Sequence, residues 1–215
     1  MRTVVTGGAG FIGSHLVDAL VERGDDVLVL DDLSSGKRAN LEDAIAAGAT
    51  LEVLDISEAR LLMTTIQGFE PEAVFHLAAQ IDVRKSMADP GFDARLNVVG
   101  TLNVLEAASR VGARQFVFTS TGGAIYGEGA RRPDELPFSE DSRCEPDSIY
   151  GQSKLAAEGY IGLYRRSGRI DGVVGAMGAR EGELVGAARR RDHRGAHRLA
   201  DLARGEADAA GGAVH

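Results

Sequence analysis

The sequence predicts an α/β fold built on a doubly wound parallel sheet, and three observations support this. Short runs rich in β-branched residues alternate with longer amphipathic segments, as strands and helices do in parallel α/β proteins. The apolar run that ends at Val5 continues directly into a glycine-rich turn. No internal repeat interrupts this alternation, so we expect one sizeable α/β domain within the 215 residues.

Composition and charge exclude several classes of protein. The net charge is −8, so the overall field repels phosphate backbones and nucleic acid is not an expected partner. Cys144 is the single cysteine, which excludes an internal disulfide framework and is typical of a reducing compartment. No apolar run is long enough for a membrane span or a signal peptide. We therefore expect a cytoplasmic protein that does not bind membranes.

The strands are predicted from short apolar runs. Val27–Leu30 shows the pattern most clearly, because it is apolar on both faces, as strands buried in parallel sheets are. Six such segments occur along the chain. In order they are Arg2–Val5, Val27–Leu30, Leu51–Leu54, Ala73–Leu77, Gln115–Thr119 and Gly172–Val174.

The helices are predicted from apolar residues that recur at helical spacing. In the first helix Leu16, Leu20 and Val21 recur in this way, so one face packs on the sheet. The predicted helices are Phe11–Arg23, Arg60–Gln67, Arg95–Val111 and Tyr150–Arg166. Polar sequence predicts loops at residues 31–38 and 122–146. The second is rich in Gly, Pro and charge, and loops of that length are usually functional.

The turn between the first strand and the first helix carries the strongest functional signal. Gly7 permits a tight turn, Gly10 lets the backbone approach a pyrophosphate, and Gly13 lets the helix pack close to the sheet. Backbone N–H groups and the positive end of the helix would then hold the phosphates. Together with the strand before it and the helix after it, the turn predicts a Rossmann-type dinucleotide-binding unit.

Asp31 indicates which dinucleotide binds. It ends the second strand about twenty residues after the turn, where a carboxylate can bond the adenosine ribose hydroxyls. A carboxylate at that place repels a 2′-phosphate, which favours NAD over NADP. Lys37 and Arg38 lie nearby and could favour NADP, although basic residues on a loop are more often simply solvated. We therefore predict NAD as the cofactor.

Tyr150 and Lys154 form a second candidate site. They are four residues apart on a predicted helix, so both side chains project from one face. A lysine ammonium near a phenol favours the phenolate and is expected to lower the pKa of Tyr150 toward the working range. A surface pair would show the same spacing. The segments around this pair and at the end of the fifth strand are what make it specific.

These motifs together resemble the extended short-chain dehydrogenase/reductase family, and within it most closely the UDP-glucose 4-epimerases and their sugar-nucleotide relatives. The resemblance covers residues 1 to about 174 and keeps the family's order of motifs. The residues that carry it are the turn at Gly7, Gly10 and Gly13, then Asp31-Asp32-Leu33-Ser34-Ser35-Gly36, Asp55-Ile56, His76-Leu77-Ala78-Ala79-Gln80, Asp82-Val83-Arg84, Asn97-Val98-Val99-Gly100-Thr101, Phe118 to Gly127, and Tyr150 with Lys154.

The resemblance implies a set of cofactor contacts. Asp31 and Asp32 would face the adenosine ribose, Asp55 and Ile56 the adenine, and Ala78 to Gln80 the dinucleotide path, with Asn97 close to it. The full set of cofactor-binding residues that we predict is Gly7, Gly10, Phe11, Ile12, Gly13, Asp31, Asp32, Ser35, Gly36, Asp55, Ile56, Leu77, Ala78, Ala79, Gln80, Asn97, Tyr150 and Lys154.

The resemblance also implies catalytic roles. Tyr150, as phenolate, would take the proton of the sugar 4′-hydroxyl while hydride passes to NAD and then returns to the other face of the 4-keto sugar. Lys154 would bond the nicotinamide ribose and tune Tyr150. Thr121 would hydrogen-bond the reacting oxygen, with Ser120 as the alternative. Related 4,6-dehydratases carry an Asp-Glu pair where this chain has Gly122 and Gly123, which disfavours a dehydratase.

The family pattern fails after Gly175. The sequence there is rich in Ala, Gly and Arg and has no aromatic residue, so we divide the chain into an NAD-binding domain at 1–174 and a divergent, poorly ordered tail at 175–215. The usual small C-terminal substrate domain is missing or unrecognisable. One interpretation is truncation or a reading-frame change, because codons for Arg-Tyr-Gly read one base later can give Ala176-Met177-Gly178. The other is a genuine short family member with a divergent C-terminus.

Three functional interpretations follow. The first is an NAD-dependent 4-epimerase that acts on a nucleotide sugar, such as a UDP-hexose, with turnover impaired if the substrate domain is missing. The second is a non-catalytic NAD-binding module, and the third is another dehydratase or reductase of the same family. The segment Arg95–Val111 could supply a homodimer face. His193 and His197 have helical metal-ligand spacing, but their Arg-rich, glycine-broken surroundings predict no metal site.

Overall fold

One parallel sheet forms the centre of the protein. The computed structural model describes residues 1–127, the single positions 131, 134, 136 and 138, and residues 142–177, with side chains described as far as residue 171. The strands β1 to β6 are Arg2–Thr6, Asp26–Asp31, Thr50–Val53, Ala73–His76, Gln115–Thr121 and Asp171–Met177. Every pair is parallel and the spatial order is β3-β2-β1-β4-β5-β6. The predicted Rossmann-type doubly wound sheet is confirmed.

Helices flank the sheet on both sides. In chain order α1 to α8 are Phe11–Glu22, Glu42–Ala46, Ala59–Phe69, Val83–Ala88, Pro90–Asp93, Thr101–Arg110, Gly122–Ile125 and Ile149–Arg166. A 3₁₀ helix spans Arg38–Leu41, and a π-helix at Ala94–Gly100 runs into α6. Among the helices in the described part of the chain, none combines the length and the apolar character needed to cross a bilayer.

The structure differs from the sequence-based prediction mainly in short helices. The 3₁₀ helix, α2, α4 and α5 were not predicted, because segments of four to six residues show no full helical period. Side-chain caps start two of them. Asp82 accepts hydrogen bonds from the backbone N–H groups of Arg84 and Lys85, and Asp89 accepts one from Phe92.

Three predicted segments differ most from the structure in their bounds. The single helix predicted at Arg95–Val111 is a π-helix followed by α6, and the predicted loop at 122–146 begins with α7. The sixth strand continues to Met177, beyond the predicted end at Val174. The rest of the predicted tail, including His193 and His197, lies outside the described residues.

The core consists of two apolar layers, one on each face of the sheet. Successive strand residues alternate between them, so Val74 and Phe116 belong to one layer while Phe75 and Val117 belong to the other. Helix α1 covers the second layer with Leu16, Val17 and Leu20 among others, and α3, α6 and α8 cover the first. Both layers include residues of the strands whose carboxyl ends carry the candidate site.

A charged cluster joins α6, α8 and the turn before β6. The carboxylate of Glu106 accepts hydrogen bonds from the Tyr164 hydroxyl at 2.6 Å, the Arg110 Nε at 2.8 Å and an Arg169 guanidinium nitrogen at 2.9 Å. These donors, the Tyr164 hydroxyl first, lower the pKa of Glu106 to about 2. The carboxylate therefore stabilises the fold above the unfolded-state pKa of 4.5 and loses that contribution as pH falls toward about 2.

Replacing Glu106 with glutamine is expected to lower the free energy of unfolding at pH 7 by about 1 kcal/mol, after allowance for solvent screening of a partly exposed group. The difference from wild type should shrink between pH 4.5 and pH 2, because the wild-type carboxylate itself becomes protonated there. Urea unfolding at pH 7 and at pH 3 measures both values. Glu52→Gln, at an exposed position of β3, serves as the control. An equal loss at both pH values would contradict the prediction.

Candidate functional site

A cleft of about 480 Å³ opens at the carboxyl end of the sheet. It lies where the strand order changes direction between β1 and β4, the place at which open α/β sheets bind ligands. Most of the predicted site residues line it. These are Gly7, Gly10, Phe11, Ile12, Gly13, Asp31, Asp32, Ser35, Asp55, Ile56, Leu77, Ala78, Ala79, Thr121, Tyr150 and Lys154.

The glycine turn lines the cleft. Only glycine is accepted at its key positions, because a side chain there would collide with neighbouring backbone atoms. Gly7 has φ +70°, and a Cβ at this position would lie 2.6 Å from the backbone nitrogen of Ala78. A Cβ on Gly13 would overlap the carbonyl oxygen of Gly7. At Gly10 an added Cβ would lie 3.2 Å from the same oxygen. Side chains at these positions would push the turn away from the strand ends.

Asp31 and the loop after β2 hold the turn from the other side. One oxygen of the buried Asp31 carboxylate accepts the Ala9 N–H at 2.9 Å, and the other accepts the Leu33 N–H at 2.9 Å. The Ala9 carbonyl in turn accepts the Lys37 N–H at 3.0 Å and the Asn40 amide at 2.7 Å. Each carboxylate oxygen has a second acceptor position, so Asp31 can still receive a ligand hydroxyl.

Two further acidic residues line the cleft near Asp31. Asp32 accepts hydrogen bonds from the backbone N–H and the hydroxyl of Ser34 at 2.9 and 2.6 Å. Asp55 accepts the Ser57 N–H at 2.7 Å, which fixes the turn after β3. Buried Ile56 follows Asp55, and its carbonyl is held by the Asn103 amide at 3.0 Å. This end of the cleft offers carboxylates beside an apolar wall.

Lys154 lies in the first turns of α8, and its side chain lines the cleft at the end away from Asp31 and Asp55. The Ser148 hydroxyl caps this helix by accepting the Gly151 N–H at 3.0 Å. The Lys154 side chain is 3% exposed, and its Nζ lies 4.3 Å from the centre of the Phe118 ring. Burial lowers the pKa of Lys154 to about 8, while the carboxylates of Glu158 and Asp93 oppose this effect.

Tyr150 lines the cleft as predicted, but its ionisation differs from the expectation. Burial raises the pKa of Tyr150 above its usual value, and the Asp93 carboxylate raises it further. The expectation of a lowered Tyr150 pKa is therefore wrong. The sequence contained no sign of the acid that opposes Lys154, because Asp93 is 57 positions away from Tyr150 along the chain. Tyr150 is a neutral phenol at pH 7 in the unliganded chain.

Two hydroxyls at the end of β5 were candidates to bind the reacting oxygen. The Ser120 hydroxyl donates its hydrogen bond to the Glu158 carboxylate, so its proton is directed away from the cleft. Ser120 and Thr121 both line the cleft, and only Ser120 is bonded to Glu158. This arrangement favours Thr121 over Ser120 as the donor to a ligand oxygen.

His76 has a structural role. Its Nδ1 lies 2.6 Å from the Thr6 hydroxyl and its Nε2 lies 2.9 Å from the Thr101 hydroxyl. Since Thr101 donates its own proton to the Asn97 carbonyl at 2.7 Å, we assign the His76 ring proton to Nε2. Burial and the Lys154 charge lower the pKa of His76 to about 3, so the ring is neutral and is no base at pH 7.

Three predicted cofactor residues lie behind the cleft wall. Asn97 and Gln80 bond each other twice, with the Gln80 N–H on the Asn97 oxygen at 2.8 Å and the Asn97 amide on the Gln80 carbonyl at 2.9 Å. Gly36 packs against Ala9 and Asp31, where a Cβ would come within 2.9 Å of both. These residues support the residues that line the cleft.

Six residues that line the cleft were not predicted as cofactor contacts, because apolar and small residues beside a motif carry no signal of their own. They are Leu30, Ser34, Leu54, Ile81, Leu96 and Thr119.

A family model and individual relatives of known sequence both match this chain. The model of the NAD dependent epimerase/dehydratase family matches residues 3–210. The chain is 48% identical over 172 residues to the UDP-glucose 4-epimerase of Mycolicibacterium smegmatis, an alignment that covers 80% of this chain and 53% of that protein. The chain thus spans about half the length of the relatives that it matches.

Solved structures show the same partial coverage. The UDP-glucose 4-epimerase of Thermus thermophilus, in complex with NAD, is 41% identical with a TM-score of 0.75, and the match covers 81% of this chain and 54% of that one. The UDP-glucose 4-epimerase of Thermotoga maritima, with UDP-glucose, gives the same identity, TM-score and coverage.

Proposed function

Since the chain belongs to the NAD dependent epimerase/dehydratase family, we propose that it binds NAD and interconverts UDP-hexoses that differ in configuration at the sugar C4. One observation carries this proposal: Tyr150 and Lys154 line the same cleft as the glycine turn. A dinucleotide held by that turn would lie in the cleft that these two side chains line. The relatives' UDP-sugar substrates support the choice of UDP-hexose.

The residues present fit NAD. Gly7 and Gly13 let the turn pack against the Ala78 backbone and against itself, where a Cβ would collide, and the N–H groups at the start of α1 would bind the pyrophosphate. Asp31 would accept the adenosine ribose hydroxyls, with Asp32 beside it. Asp55 and Ile56 would border the adenine. A carboxylate at position 31 supports NAD over NADP, since it repels a 2′-phosphate.

The chain's own residues supply the proton chemistry. When bound, NAD would accept and return the hydride, and its positive ring would favour ionisation of a nearby phenol. Tyr150, as phenolate, would take the proton of the sugar 4′-hydroxyl, hold it while the sugar is a ketone, and return it to the same oxygen. The positive charge of Lys154 would stabilise the Tyr150 phenolate. Thr121 would donate a hydrogen bond to the same sugar oxygen. Gly122 and Gly123 offer no acid or base of the kind that a dehydratase needs.

A second candidate function is a non-catalytic NAD-binding module. The raised pKa of Tyr150 is compatible with it, because a module that only binds NAD needs no base. The two functions share the cofactor and differ in whether a sugar is turned over.

Two measurements on the full chain test the proposal. Calorimetric titration with NAD and NADP should show binding that is stronger for NAD, and chromatography should detect interconversion of UDP-glucose and UDP-galactose. Binding of NAD without interconversion supports the binding module. Absence of NAD binding contradicts both functions.

We also propose a homodimer. The π-helix packs against α8, and together they expose apolar side chains that include Val99 and Leu163, 48% and 54% exposed. Apolar groups on two adjoining elements favour a contact with a second copy of the chain. Leu163→Glu is expected to convert a dimer into a monomer in light scattering. Leu61→Glu, at an equally exposed position of α3, should leave it dimeric, and a wild-type monomer would contradict the proposal.

A cytoplasmic location is the remaining part of the proposal. It is supported by the single cysteine, Cys144, which is typical of proteins that fold in a reducing compartment. Fractionation of cells that produce the full chain would test it.

A further inference from the structure

Asp93 is a completely buried acid for which the proposed reaction has no direct use. It ends α5, and one of its oxygens accepts the Asn97 amide at 3.0 Å. Its Oδ2 is also buried and has no hydrogen-bond partner among the described residues. A buried carboxylate with an unpaired oxygen costs free energy, so its presence calls for a physical reason.

The surroundings of Asp93 connect it to the cleft. The Asn97 amide that it holds also bonds the Gln80 carbonyl and lies 3.4 Å from the Ser153 hydroxyl, which donates to the Tyr150 carbonyl at 2.9 Å. Ser153 precedes Lys154 on α8, so one buried cluster contacts the backbone on both sides of the cleft. Burial raises the pKa of Asp93, while the Asn97 amide and the Lys154 charge favour its carboxylate form.

We propose that Asp93 is a positioning residue: a buried counter-charge behind the cleft wall that keeps Lys154 cationic and holds Asn97 against Gln80. The inference rests on the proposed function in that a cationic Lys154 serves the reaction. Asp93 itself does not touch the cofactor or the sugar, because it does not line the cleft.

The electrostatics of the cluster agree with this role. Asp93 opposes the burial of Lys154, whose pKa is lowered to about 8, and it raises the pKa of Tyr150. The other titratable groups that act on Lys154 are Glu158, one turn later on α8, and neutral His76 on β4. Removing the Asp93 charge therefore lowers the pKa of both Lys154 and Tyr150, since a nearby negative charge favours an ammonium and disfavours a phenolate.

The lysine content of the chain permits a direct test. Its lysines are Lys37, Lys85 and Lys154, so a full-length chain labelled with [ε-¹³C]lysine gives few signals, and a Lys154→Arg variant assigns the one of interest. We expect the Lys154 signal to titrate near pH 8 in the wild type and at lower pH in Asp93→Asn. Glu158→Gln should lower the midpoint as well. Asp43→Asn, at an exposed position of α2, should leave it unchanged.

Thermal unfolding separates this role from a purely structural one. Asparagine keeps the shape but leaves the buried Lys154 ammonium with one counter-charge fewer, so Asp93→Asn should unfold at a lower temperature than the wild type at pH 7, by a difference that shrinks above pH 8, where Lys154 becomes neutral. A lower unfolding temperature with an unchanged Lys154 titration would overturn the proposal. Should Asp93→Asn fail to fold, Asp93→Ser, which is smaller and keeps a hydroxyl, must show the same downward shift of the Lys154 midpoint.

Activity provides a separate measurement. In Asp93→Asn the alkaline limb of the kcat profile for UDP-hexose interconversion should move to lower pH together with the Lys154 midpoint. If the wild type shows no interconversion, the proposed function fails, while the lysine titration still decides whether Asp93 sets the charge on Lys154. A titration in which Asp93→Asn and wild type coincide overturns the inference whatever the activity.

Discussion

Replacing Gly7 with alanine is expected to weaken NAD binding by about 100-fold, which corresponds to about 2–3 kcal/mol. Two effects combine in this change. The backbone at Gly7 has φ +70°, where an alanine is strained, and the new Cβ would lie 2.6 Å from the Ala78 backbone nitrogen. Because that contact is with backbone, relief requires the phosphate-binding turn itself to shift. Calorimetric titration with NAD measures the loss.

Gly112 provides a closely matched control. Its φ is +71°, and a Cβ there would meet nothing within 4 Å. Gly112→Ala therefore carries the same backbone strain without the clash and lies at the far end of α6. It should lower the stability of the chain and leave NAD affinity within about twofold of wild type. Equal affinities for Gly7→Ala and Gly112→Ala would show that the turn does not hold the cofactor.

Replacing Tyr150 with phenylalanine is expected to lower the rate of UDP-hexose interconversion by about 10²–10⁴-fold, the usual contribution of a general acid–base group. NAD affinity should change much less, because the phenyl ring still fills its place in the lining. The interconversion rate and NAD affinity are measured on the same preparation.

Tyr160→Phe is the matched control, since Tyr160 lies on the same helix and is 40% exposed. It should retain the wild-type rate. A Tyr150→Phe chain as active as Tyr160→Phe would remove Tyr150 from the mechanism, and Thr121 and Lys154 would then need another base.

The parts of the site that lie within one motif could be predicted from sequence. Gly7 and Gly13 are constrained by backbone contacts inside a single strand–turn–helix unit, and the spacing of Tyr150 and Lys154 on α8 places both on one face. Their presence in one cleft also follows, because the motifs occur at the carboxyl ends of parallel strands.

The parts that depend on packing between distant segments could not be predicted. Asp93 alters Tyr150 only because α5 and the π-helix pack against α8, and no spacing in the sequence encodes that contact. The change from π-helix to α-helix at Gly100 could not be predicted either, since the apolar residues of this segment fit both conformations. Ser120 and Thr121 could be separated only once Glu158 was placed beside Ser120.

The hydrogen bonds around Ala9 have a consequence for the thermodynamics of ligand entry. Asp31 holds the Ala9 N–H, while Lys37 and Asn40 hold the carbonyl, so these hydrogen bonds fix the turn in one geometry. Little conformational entropy then remains to be lost when a dinucleotide arrives. The turn and the loop at residues 31–40 are separate in sequence but share this geometry, so loosening the loop is expected to weaken dinucleotide binding by loosening the turn.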